Sequence, residues 1–253
     1  MPGSTPASPL WIRRYAPSPD APVRLACLPH AGGSASFFLP VARTLAPAVD
    51  VLAVQYPGRQ DRYTERCIED LHELADEAAS ALEPWTDAPL ALLGHSMGAS
   101  LAFEVALRLE RKTGAVPVAL FASGRRAPSR HREETVHLRD DDGIIAELKR
   151  LNGTDSDVLG DEELLRMVLP AIRGDYTAAE TYRPRPGEAS VSCPVVAMTG
   201  DSDPKVSIDE ARAWEEHTTG GFDLHVFPGG HFYLADRQAE VLKLVADRLN
   251  TTP

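Results

Sequence analysis

Cysteine is scarce in this chain of 253 residues. Cys27, Cys67 and Cys193 are odd in number and far apart, which excludes a disulfide framework and a zinc signature. Cys27 and Cys193 fall in apolar, strand-like runs and are expected in the core. Basic residues are also outnumbered, 26 Lys and Arg against 37 Asp and Glu. The resulting net charge of −11 argues against nucleic acid or an anionic membrane surface as a partner. No apolar run is long enough to span a bilayer. The N-terminal stretch is Pro/Ser-rich rather than basic then apolar, so no secretory signal is expected and a cytoplasmic setting is. His-Glu-x-x-His, a P-loop and Gly-x-Gly-x-x-Gly are all missing, so we expect no metal and no nucleotide cofactor.

What the chain does contain is alternation. Residues 1–22 carry six prolines and little periodicity, and read as a flexible N-terminal arm on which Trp11 and Ile12 are the residues able to dock. From residue 23 onward, apolar runs of strand length (23–28, 49–55, 90–94 and 116–122) alternate with helical patterns at 35–45, 68–82 and from 99. Such alternation predicts an α/β fold, a mostly parallel sheet with helices on both faces. The pattern stops near Ser123. Between 124 and 187 only helical patterns occur, at 142–151, 161–172 and 175–182, with Asp142 and Asp161 as expected N-caps. The sheet resumes at 193–199 and 222–227, with a helix near 208–217 and a closing helix at 237–249. The expected layout is one domain over 23–253, with a helical lid inserted at about 124–187.

The stretch Pro89–Ser100 concentrates the chemistry. An apolar strand runs into Gly94-His95-Ser96-Met97-Gly98 and a helix follows, the context that makes Gly-x-Ser-x-Gly a nucleophile elbow. A serine hydroxyl needs a base, and the base an orienting acid. In a strand–turn–helix architecture of this kind they follow in the order serine, acid, histidine. Of eight histidines only His231, in Pro228-Gly229-Gly230-His231-Phe232, follows the last predicted strand. His72, His131, His137 and His217 read as solvated, and His30 as a brace for its own loop. The acid lies in Gly200-Asp201-Ser202-Asp203-Pro204. Asp203 is preferred because it fits a Gly-x-x-Asp-x-x-Val layout with a stiffening proline, and Asp201 stays open as the alternative. Two backbone donors are expected to form an oxyanion hole: Met97, after the nucleophile, and Ala31, in the loop after the first core strand.

Five motifs in register resemble those of the type II thioesterases: His30-Ala31-Gly32-Gly33, Tyr56-Pro57-Gly58-Arg59, Gly94-His95-Ser96-Met97-Gly98, Gly200-Asp201-Ser202-Asp203 and Gly229-Gly230-His231-Phe232. The lid-like segment is similar too, and the resemblance spans about Trp11 to Leu249. It implies an α/β-hydrolase fold. It also implies hydrolysis of stalled or aberrant acyl thioesters on the phosphopantetheine arm of acyl or peptidyl carrier proteins, in polyketide or nonribosomal peptide biosynthesis. Separately from the resemblance, a monomer is expected. The residues alone point only to a serine hydrolase with a helical lid. Two other readings remain: a carboxylesterase or acyl-CoA thioesterase with the same triad, and a carrier-protein-binding module without activity.

Two further expectations concern the surroundings of the site. Leu148, Leu151, Leu165, Met167, Val168 and Leu169 are candidates to line an acyl chamber, with ordinary packing inside the insertion as the alternative. Arg125, Arg126, Arg130 and Arg132 form a basic patch in an acidic chain. They are candidates to dock an acidic carrier protein, against the alternative of pairing with local carboxylates such as Glu133 and Glu134. Arg59 is expected only to brace its turn.

Overall fold

Five apolar runs become parallel strands buried on both faces, and a sixth, half-exposed, closes one edge of the sheet. The computed structural model describes residues 10–152, 162–187 and 189–250. Its strands are β1 (Ile12–Arg13), β2 (Val23–Leu28), β3 (Val49–Val54), β4 (Leu90–His95), β5 (Leu120–Ser123), β6 (Val195–Gly200) and β7 (Phe222–Phe227). They form one sheet in the order β1-β3-β2-β4-β5-β6-β7, parallel except for β1, which runs antiparallel to β3. Period-two alternation divides the strands between two apolar layers. Val23, Leu25 and Cys27 of β2 face α1 (Leu39–Leu45) and α8 (Gln238–Asn250). Ala26 and Leu28 face α2 (Leu71–Leu82) and α3 (Met97–Thr113).

The helices start and stop for local reasons. Asp70 caps α2, its carboxylate accepting from Glu73 N–H at 2.9 Å. Leu71, Leu74, Ala75, Ala78, Ala79 and Leu82 then form the buried stripe. α3 ends at Gly114, which takes the left-handed conformation with φ 74°. Between β5 and β6 lie α4 (Asp141–Asn152) and α5 (Glu162–Thr181), packed together through Val136, Ile144, Leu169, Ile172 and Tyr176. Two short helices complete the fold, α6 (Ile208–Arg212), opened by a Ser207/Glu210 capping box, and α7 (Tyr233–Asp236). Among the described residues no helix is long and apolar enough to cross a membrane.

Several expectations need correction. The N-terminal arm does not hang free from residue 11 onward: Trp11 is buried and Ile12 and Arg13 pair with Val54 and Ala53. Strand β5 begins at Leu120 rather than 116, after Pro117, which offers no donor to a ladder. The patterns at 161–172 and 175–182 are one helix, α5, that continues through Pro170 because apolar residues on both sides of it are buried. Asp142 lies within α4. The residue that takes the capping position is Asp140, which accepts from Gly143 N–H at 2.9 Å. Asp161 lies outside the described residues. His217 is buried rather than solvated, accepting from Ser129 N–H at 3.1 Å and donating to the Ala189 carbonyl at 2.7 Å.

Candidate active site

The parallel strands place their carboxyl ends, and the loops that follow them, along one edge of the sheet, where α/β folds bind ligands. Ser96 stands at the turn between β4 and α3 with φ 55° and ψ −120°, a strained conformation for a residue with a side chain. The turn is held by sterics. A Cβ on Gly94 would come within 2.0 Å of the Gly98 carbonyl oxygen, and one on Gly98 within 2.0 Å of the Leu28 carbonyl oxygen. The Ser96 N–H donates to the Ser123 carbonyl at 2.8 Å, tying the elbow to the neighbouring strand.

Residues far apart in sequence converge on this serine. Nε2 of His231 lies 3.0 Å from Ser96 Oγ. Its Nδ1 lies 2.9 and 3.0 Å from the two carboxylate oxygens of Asp203. A carboxylate only accepts, so Nδ1–H donates to Asp203 and Nε2 is left to accept from the Ser96 hydroxyl. Both partners are shielded, with 3% of the His231 side chain and none of Asp203 exposed. Asp203 is further fixed by Lys205 N–H at 2.8 Å. Asp201 is placed elsewhere: it accepts from Gly229 N–H at 3.1 Å and from Ser202 Oγ at 2.7 Å, which hold its carboxyl below the usual range.

Two more imidazoles lie beside the triad. The ring centroids of His95 and His231 are 5.3 Å apart, and those of His30 and His95 are 5.9 Å apart. Burial, reinforced by the neighbouring His231, lowers the pKa of His30 to about 3 and pushes His95 down as well. Both therefore stay neutral near pH 7 and add no positive charge beside His231.

Ala31, Met97, Ser96 and His231 line one cavity of about 270 Å³. Met97 opens α3, so its N–H belongs to the unpaired first turn of a helix. In the loop after β2, Gly32 N–H and Gly33 N–H are taken up by Asp175 and the His30 carbonyl. Among the described residues no partner takes the Ala31 N–H. The far wall is Leu148, Leu151, Leu165 and Val168, as expected, joined by Ile172 and Tyr176. Met167 does not line it, being 69% exposed, and Leu169 is packed inside the insertion instead.

The basic patch is largely neutralised. Arg126 pairs with Glu134, Arg130 with Glu216, and Arg132 with Glu210. Arg125 turns inward to the cavity wall, donating to Ser100 Oγ at 2.9 Å and to the Ala179 carbonyl at 2.8 Å, and burial lowers its pKa to about 10. Only Glu134 among these carboxylates neighbours the patch in sequence. Sequence reasoning missed Asp175 altogether, since a lone acid in a helical pattern carries no local signal.

Comparison with known proteins agrees with this geometry. Residues 23–249 match the thioesterase domain family. The chain is 52% identical over 244 residues to thioesterase PikA5 of Streptomyces venezuelae, covering 96% of this chain and 86% of that one. It is 54% identical over 240 residues to a probable cadicidin biosynthesis thioesterase of Streptomyces griseus, covering 95% of this chain and 66% of that longer relative. Among solved structures, the type II thioesterase BorB from the borrelidin biosynthetic cluster superposes with a TM-score of 0.90 at 54% identity, covering 98% of this chain and all of that one. With the elbow, the sheet order and these relatives together, the chain belongs to the thioesterase family of α/β-hydrolases, in the company of the type II enzymes.

Proposed function

We propose that this protein is a cytoplasmic type II thioesterase that removes acyl groups from the phosphopantetheine arm of carrier proteins serving a polyketide or nonribosomal peptide synthase. The observation that carries the reading is the Ser96–His231–Asp203 relay, with 3.0 Å between Oγ and Nε2, at one end of an apolar-walled cavity. Ser96 Oγ attacks the thioester carbonyl as His231 takes its proton. Asp203 holds the imidazole in the required tautomer and steadies the imidazolium that forms. The tetrahedral oxyanion rests on the N–H groups of Met97 and Ala31, with the amino end of α3 behind it. The thiol leaves with the proton from His231, and an acyl ester remains on Ser96. Water activated by His231 then releases the acid and restores the serine.

A cavity of about 270 Å³ walled by Leu148, Leu151, Leu165, Val168 and Ile172 suits an acyl group of modest length, with α4 and α5 acting as the lid. Carrier docking through Arg126, Arg130 and Arg132 has less behind it, because each already holds a carboxylate. The test compares turnover of one acyl group presented on a carrier protein, on coenzyme A and as a simple oxygen ester. The proposal expects the highest kcat/KM on the carrier. Equal or greater turnover of coenzyme A thioester would favour a small-molecule acyl-CoA hydrolase, and of the oxygen ester a carboxylesterase. Carrier binding without any turnover would leave only a binding module.

A further inference from the structure

The Ala31 N–H sits in a loop whose backbone is gripped from outside. On its amino side, Tyr56 Oη donates to the Pro29 carbonyl at 3.0 Å. On its carboxyl side, Asp175 Oδ2 accepts from the Gly32 N–H at 2.7 Å, and Arg59 Nη1 donates to the Gly33 carbonyl at 3.2 Å. Peptide groups are planar units. The unit that carries the Ala31 N–H is therefore flanked by two units, each pinned by a buried side chain.

Asp175 and Arg59 also hold each other. Nη1 lies 2.5 Å from Oδ2 and Nη2 lies 2.8 Å from Oδ1, with 7% of the Arg59 side chain and 1% of Asp175 exposed. The guanidinium rests 5.2 Å from the centre of the Tyr56 ring, so all three grips belong to one packed unit. Asp175 is a residue of α5, the helix that also supplies Leu165, Val168 and Ile172 to the cavity wall. Ile172 presses on the same loop, so close to Gly32 that a Cβ there would come within 2.8 Å of its Cγ1.

We propose that Asp175, clamped by Arg59, is a positioning residue that orients the Ala31 N–H toward the oxyanion and thereby couples the seating of α5 over the acyl cavity to the rate of the chemical step. The proposal rests on Ser96 being the nucleophile of a hydrolase. A shift of α5 away from the sheet would pull Asp175 off Gly32 and release the peptide plane next to the oxyanion donor. Acyl groups that fit under α5 would then be hydrolysed fast. Those that lever it outward would bind yet turn over slowly.

Removing one member of a buried ion pair strands the other charge and risks the fold, so the test uses paired replacements. Arg59→Met with Asp175→Leu abolishes both charges and the acceptor for Gly32. Arg59→Gln with Asp175→Asn abolishes the charges but keeps an amide oxygen facing Gly32. Each is assayed for kcat and KM on a small acyl thioester, for affinity toward an alkyl boronic acid that adds to Ser96 as a tetrahedral mimic, and for melting temperature. The apolar pair is expected to lower kcat by about tenfold or more with KM within about twofold, and to weaken boronate binding in parallel. The amide pair is expected to keep kcat within about threefold of the parent. Equal losses in both, or no loss in either, overturn the proposal. A parent protein that turns over neither the small thioester nor the same acyl group on a carrier protein would instead sink the hydrolase reading, before any variant is compared.

Discussion

Around Ser96 the structure is set by backbone contact: two glycines in van der Waals conflict with any side chain, and buried strands registered Leu28 against Gly94 and His95 against Ser123. The insertion between β5 and β6 is built differently. Among the described residues its apolar cluster is small, and polar pairs do much of the fastening: the ion pairs of Arg59 with Asp175, Lys205 with Glu134 and Glu147, and Arg173 with Asp141, and a hydrogen bond between His137 and Glu180. The seat of Ser96 therefore rests on sterics, with Asp203 orienting the imidazole above it through hydrogen bonds. The seating of the insertion over its apolar cavity rests in part on ion pairs, several of them largely buried, which salt screens only weakly and acid removes as the carboxylates protonate. One part of the molecule fixes what reaction occurs, and the other how well a given acyl group is seated for it.

The largest expected effect breaks the chemistry and spares both regions. Ser96→Ala should lower kcat/KM for thioester hydrolysis by roughly 10⁴-fold or more while the melting temperature holds. Close behind, Asp203→Asn should cost about 10⁴-fold in kcat by spoiling the imidazole tautomer, whereas Asp201→Asn should change kcat by less than about threefold. Steady-state kinetics of the two variants side by side tests the assignment of the acid. A steric body should fail to tolerate one methyl: Gly98→Ala, driven against the Leu28 carbonyl, is expected to lose at least about 3 kcal/mol in denaturant unfolding.

Glu134 sharpens the electrostatic half. Burial by itself would raise its pKa, but Lys205 and Arg126 prevail and hold it at about 2, below the ordinary 4.5. Because the folded-state pKa is depressed, the carboxylate contributes stability fully above about pH 4.5 and loses it as pH falls toward 2. The difference in stability between the parent and Glu134→Gln should thus be constant above pH 4.5 and shrink below it. His30, neutral in the fold down to about pH 3, draws protons only to the unfolded chain below 6.5, which weakens the parent and the variant alike and cancels in the difference. The smallest effect belongs to the surface. Arg130→Glu, whose side chain is 41% exposed and whose partner Glu216 is 50% exposed, should cost no more than about 1 kcal/mol and change carrier turnover by less than about threefold. A tenfold loss confined to carrier-bound substrate would revive the basic patch as a docking surface.

The triad region was legible in sequence because its signals are local. A shift from apolar run to helical period brackets Ser96, and the turn chemistry around Asp203 and His231 is written in adjacent glycines and a proline. What escaped was long-range. Asp175 meets Arg59 across 116 positions, and an acid on a helix otherwise reads as a solvated face. The arginines at 125–132 cluster along the chain but disperse in space: two find glutamates about 80 positions away, and Arg125 turns into the cavity. Strand β1 is two residues in a proline-rich stretch, too short for any periodicity, and its place comes from pairing with β3 and from Trp11 burying its ring. Helix α5 read as two because Gly174, a poor helix former, falls in the gap between the two patterns, while packing on the cavity and on α4 carries the helix through it.

The central claim is that Ser96 carries the acyl group between thioester and water. Rapid acid quench of the protein with an acyl thioester, followed by intact mass and peptide mapping, measures that directly. The account predicts a mass increase equal to one acyl group, located on the peptide bearing Ser96 and absent from Ser96→Ala. Undiminished hydrolysis by Ser96→Ala, or an acyl adduct on any other residue, would contradict it.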